Sequence, residues 1–77
     1  MYKYIDDNGV TWIWDTRGER IYSVEAEIVS LKEVLNGKDH DRNGYFASNK
    51  QNAAKMMIDG GYTEKKLSEV IKEFESI

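Results

Sequence analysis

Tyr2-Lys3-Tyr4-Ile5-Asp6-Asp7-Asn8-Gly9-Val10-Thr11-Trp12-Ile13-Trp14 decides the fold class. Two runs of β-branched and aromatic residues flank Asp6-Asp7-Asn8-Gly9, and such runs favour extended backbone. Asn-Gly is the strongest two-residue hairpin signal, because a type I′ turn needs positive φ at both central positions. The stretch predicts a β-hairpin. Downstream, Asp15-Thr16-Arg17-Gly18-Glu19 supplies a second turn, in which Gly18 is free to take positive φ. Arg20-Ile21-Tyr22 then supplies a third strand.

Register follows from the turns. A loop at Asn8-Gly9 sets Ile5 opposite Trp12 and Lys3 opposite Trp14, and a loop at Arg17-Gly18 sets Asp15 opposite Arg20 and Trp14 opposite Ile21. Opposed residues share a face. One face then carries Ile5, Val10, Trp12, Trp14 and Ile21, and the other carries Tyr2, Tyr4, Ile13 and Tyr22. A three-residue first loop would exchange the faces.

Helical signals take over after residue 23. Ser23 is a plausible N-cap for a helix with the stripe Val24, Ile28, Leu31 and Leu35, stopped by Asn36-Gly37. Residues 38–47 read as a loop. Ser48 with Gln51 matches a capping box. The helix it opens turns Ala53, Ala54, Met57 and Ile58 inward and ends at Gly60-Gly61. Thr63 caps a third helix, in which Leu67, Val70, Ile71 and Phe74 follow helical spacing. The expected fold is α+β: an N-terminal three-stranded antiparallel meander (1–23) packed on three C-terminal helices (24–77), in one domain spanning 1–77.

The 77 residues are 40% hydrophobic and 32% charged, a globular mixture, with a net charge of −3. A chain of this size buries only roughly 60% of its unfolded surface, so large aromatics must supply much of the core. The absence of cysteine excludes disulfides and thiolate metal sites and fits a reducing compartment. No apolar run reaches membrane-span or signal-peptide length, so a cytoplasmic location is expected, without membrane association. His40 is the sole histidine. No triad or zinc set can be assembled around it, and the chain is expected not to be an enzyme.

Three binding features stand out. The Tyr2, Tyr4, Ile13 and Tyr22 face is a candidate protein-docking surface, because tyrosine offers large contact area at low entropic cost. Asp39-His40-Asp41-Arg42-Asn43-Gly44-Tyr45 resembles the start of an EF-hand calcium loop. That resemblance implies Asp39, Asp41, Asn43 and the Tyr45 carbonyl as calcium ligands. The sequence departs from the pattern at the twelfth position, where Lys50 replaces the bidentate Glu. The two helices joined across Gly60-Gly61-Tyr62-Thr63 look like a helix-turn-helix, but the exposed side of the second is more acidic than basic, which disfavours nucleic acid as a partner.

In style the chain resembles small accessory proteins of phages and prophages of low-GC Gram-positive bacteria: short and acidic, rich in Lys, Ile, Asn and Tyr, without Cys or Pro, a hairpin followed by short helices. The resemblance implies a protein that binds and modulates or inhibits a host protein or defence complex. A calcium-binding domain and a small nucleic-acid regulator are the alternatives. Oligomeric state, monomer or homodimer, stays open.

Overall fold

The computed structural model describes residues 1–24 and 45–77. Five strands and two helices run in the order β1 (Tyr2–Ile5), β2 (Thr11–Asp15), β3 (Arg20–Ser23), β4 (Tyr45–Phe46), α1 (Lys50–Asp59), α2 (Leu67–Glu73) and β5 (Glu75–Ser76). All strand pairs are antiparallel and the sheet order is β4-β3-β2-β1-β5. The α+β class is as expected, but the sheet has five strands rather than three. Among the described residues there are two helices rather than three.

Three differences account for that change. Ser23, expected to cap a helix, is buried at the end of β3, and the Val24 amide donates to Thr11 O at 3.0 Å. The remainder of that expected helix lies outside the described residues. Tyr45–Phe46, expected in a loop, pairs with β3. Glu75–Ser76, expected as helix, pairs with β1, because Phe74 leaves the helical region (φ −67°, ψ 112°). The C-terminal stretch is held there by an Ile77 amide bond to Met1 O at 3.0 Å and by a Lys3–Glu75 ion pair at 3.7 Å.

The first hairpin is offset by one residue from its expected register. Tyr2 faces Trp14, Tyr4 faces Trp12 and Ile5 faces Thr11. The cause is Asp6. Its buried carboxylate accepts from the Asn8 and Val10 amides through Oδ1, both at 2.9 Å, and from Trp12 Nε1 through Oδ2 at 3.0 Å. Holding two amides beyond it, Asp6 closes a turn with the Gly9 amide on Asp6 O, and only Gly9 takes positive φ (81°). Residues 7–9 thus form a three-residue loop with a glycine bulge in place of a type I′ turn. Every side chain of β1 changes face as a result. In the second hairpin, Asp15 opposite Arg20 and Trp14 opposite Ile21 match expectation, but Glu19 (φ 54°) takes the left-handed position rather than Gly18.

One face of the sheet therefore gathers Tyr4, Trp12, Trp14 and Ile21 against Ala53, Ala54 and Met57 of α1, Val70 of α2, and Phe74. Tyr4 stacks on Phe74 (centroids 5.2 Å) and Tyr2 on Trp14 (5.4 Å). Each fully buried large side chain of this cluster contributes roughly 1.5–3 kcal/mol. The opposite face carries a second buried cluster, Ile13, Tyr22 and Val24, with Met1 against it.

The helix ends follow ordinary capping chemistry. Asn49 caps α1, accepting from the Asn52 amide at 2.8 Å, while Ser48 Oγ accepts from Asn52 Nδ2 at 2.8 Å, so the cap sits one residue later than expected. Thr63 does not cap α2 directly. Its Oγ1 accepts from the Lys65 amide and donates to Asp7 Oδ1, and α2 begins after Lys66.

Candidate functional site

The four residues expected to form a docking face do not share one. Tyr2 and Tyr4 lie on the helix-covered side with both tryptophans; Ile13 and Tyr22 lie on the other. Tyr4, Ile13 and Tyr22 are buried, and Tyr2 is half-buried beneath Lys50, whose Nζ lies 4.9 Å over its ring. The expected separation of inward tryptophans from outward tyrosines is corrected by the one-residue shift that Asp6 imposes. Of the expected calcium ligands, Asp39, Asp41 and Asn43 lie outside the described residues, and Tyr45 belongs to β4. Among the described residues, no group of three or more His, Cys, Asp or Glu side chains is placed to hold a metal ion. No helix among them is long and apolar enough to cross a membrane.

The surface the structure does leave in water lies elsewhere. On β4, Tyr45 is 51% exposed and Phe46 68% exposed. Two adjacent residues of a strand point to opposite faces, so Tyr45 leans toward α1 and Phe46 away from it. Trp14 and Glu19 set the position of this short strand from its C-terminal side. Trp14 Nε1 donates to Ala47 O at 2.8 Å, and the Ala47 amide donates to Glu19 O at 2.6 Å. Ala47 is fully buried, so the chain is pinned directly beyond two exposed rings.

Beside Tyr45 lies a shallow groove lined by Tyr45, Met56, Asp59, Gly60 and Tyr62. The last turn of α1 and the connection after it build this groove. Gly60 caps the helix, and its amide donates to Met56 O. A Cβ on Gly60 would meet the Tyr62 ring, with Cδ2 at 2.7 Å, and Met56 O at 2.9 Å. Glycine is needed there for close approach, and Gly61 is needed next to it for positive φ (76°).

Tyr62 is fixed from several sides. Its ring packs on Trp12 (centroids 4.6 Å), its amide donates to Met57 O, and its carbonyl accepts from the Asp7 amide. A hydrogen bond with the Tyr45 phenol raises the Tyr62 pKa, with burial and the charges of Tyr45 and Asp6 adding to the rise. Asp59 closes α1 with no basic residue in the last turn, and among the described residues it has no ion-pair partner. A carboxylate at the negative end of a helix is unfavourable by roughly 0.3–1 kcal/mol.

Sequence reasoning missed Phe46, Asp59, Gly60 and Tyr62 as surface-forming residues. The adjacent aromatics Tyr45-Phe46 inside an otherwise polar stretch were the one available signal. Comparison with protein-family models, with curated proteins and with solved structures finds no match.

Proposed function

We propose that this chain is a non-enzymatic protein-binding module that docks its partner on the β4 edge and the adjoining end of α1. The observation that carries the reading is the exposure of Tyr45 and Phe46, one on each face of a two-residue strand at the margin of the sheet. Partly exposed aromatics such as these forfeit part of the about 1.5–3 kcal/mol that full burial would give each. In a chain short of core-forming residues, that surface is accounted for by a partner that covers it. Tyrosine and other aromatics are the residues that dominate binding hot spots when they enter a pocket. The resemblance in style to phage accessory proteins supports a host protein, modulated or inhibited, as the partner.

A photo-reactive phenylalanine analogue placed at position 46 tests this in cells of the source organism, with the same analogue at Thr16 as control. Thr16 is also exposed, but it sits in the β2–β3 turn. A discrete adduct from position 46 that is absent from position 16 is expected. No adduct from 46, or the same adducts from both, overturns the reading.

A further inference from the structure

The groove beside Tyr45 has a composition that selects among ligands. Tyr45, Tyr62 and Met56 supply its aromatic and apolar wall. Among the described residues, Asp59 is the only charged one lining it, and no basic side chain forms an ion pair with it. The carbonyl end of a ten-residue helix lies at the same place, with Asp59 its last residue. The Met56, Met57 and Ile58 carbonyls there accept from the Gly60, Tyr62 and Gly61 amides, so the Asp59 carboxylate is the main source of negative charge at the groove. Aromatic faces with a nearby carboxylate favour an organic cation, since the ring quadrupole attracts positive charge and the wall accommodates an apolar stem. The chain makes a contact of this kind internally, where Lys50 lies over Tyr2.

From this charge complementarity we infer that the Tyr45–Tyr62 groove receives a cationic side chain, an arginine or lysine of the protein partner, with Asp59 as its counter-ion. The inference rests on the docking surface proposed above. Asp59 also breaks the usual preference for basic residues in a last helical turn, a local conflict of the sort that accompanies a binding role.

The test is an amide-resolved NMR titration of the full chain with N-acetyl-arginine methylamide. The near-isosteric neutral N-acetyl-citrulline methylamide serves as comparison. Arginine is expected to shift the amides of Tyr45, Asp59, Gly60 and Tyr62 saturably at millimolar concentration, and citrulline to bind at least about fivefold more weakly. Asp59→Asn should lower arginine binding to the citrulline level. That variant is expected to fold, because it relieves the helix terminus. Equal shifts by arginine and citrulline, arginine shifts centred elsewhere, or unchanged binding in Asp59→Asn overturn the inference. If the adduct from position 46 forms while arginine fails, the docking surface stands and only the cation falls. If neither is seen, both fall.

Discussion

The β1–β2 hairpin and the β4 edge lie on the same sheet and are built on opposite principles. At the hairpin, side-chain polar groups are matched. Asp6 holds two amides and an indole, and Asp7 reaches the α1–α2 connection, where Oδ1 accepts from Thr63 Oγ1 and Oδ2 from the Glu64 amide, both at 2.9 Å. At β4 the backbone is pinned beyond Ala47, yet two aromatic rings stand in water. Both adjacent carboxylates of the hairpin thus hold structural hydrogen bonds. Of the two, the β4 edge is the region that leaves aromatic surface exposed.

Removing the hairpin's hub should have the largest effect. Asp6→Ala leaves the buried Trp12 Nε1 and two part-buried amides without their acceptor; the buried donor costs about 1–3 kcal/mol, and the amides, which water can reach, cost less. A loss of about 2–4 kcal/mol in urea unfolding is expected. A loss under about 0.5 kcal/mol would show that the turn does not depend on the carboxylate.

Gly60 joins the two regions, because Tyr62 rests on it while touching both Trp12 and the groove. Gly60→Ala should displace that ring and destabilise by about 1–3 kcal/mol, as overpacking does. The Trp12 fluorescence spectrum should change with it. An unchanged spectrum and midpoint would mean that the close approach is not needed.

Within the well-bonded half, Tyr4 is an exception: its hydroxyl is buried without a hydrogen-bond partner among the described residues. Tyr4→Phe should be neutral or stabilising by up to about 1 kcal/mol in thermal melts. Clear destabilisation would mean that the hydroxyl has a partner.

The hairpin should also register acid. The Glu64 amide, then the Thr63 hydroxyl, hold the Asp7 carboxyl below its ordinary value against opposing desolvation, with Lys65 adding a smaller pull. A folded-state pKa below the unfolded one, near 3.9, stabilises the protein above the unfolded value, and that contribution is lost as pH falls through the folded one. Asp15 is shifted the same way. Burial pushes it up, but its hydrogen bonds and ion pair with Arg17 outweigh that. Asp7→Asn should therefore flatten, but not abolish, the fall in melting temperature below about pH 4. An acid slope identical to that of the parent would remove Asp7 from the account.

Much of the sheet was legible because its signals are local. Aromatic and β-branched runs marked the first three strands, and the second hairpin had its register read correctly from its turn residues. The first hairpin was misread by one residue because Asn-Gly was weighed without the carboxylate preceding it, and that slip reversed the faces of Tyr2 and Tyr4. β4 and β5 have two residues each, and Glu75–Ser76 has no strand propensity, so a partner strand rather than sequence puts them in the sheet. The groove was illegible because its walls come from β4, the end of α1 and Tyr62, brought together only by tertiary packing.

Phe46→Ser, read for stability and for binding together, tests most directly whether the exposed rings serve a partner rather than the fold. The unfolding free energy should stay within about 0.5 kcal/mol of the parent, as for an exposed position. In the same variant, the cross-link from an analogue moved to position 45 should disappear. A stability loss of about 2 kcal/mol or more, with the cross-link retained, would place Phe46 in the fold and leave the β4 edge without a docking role.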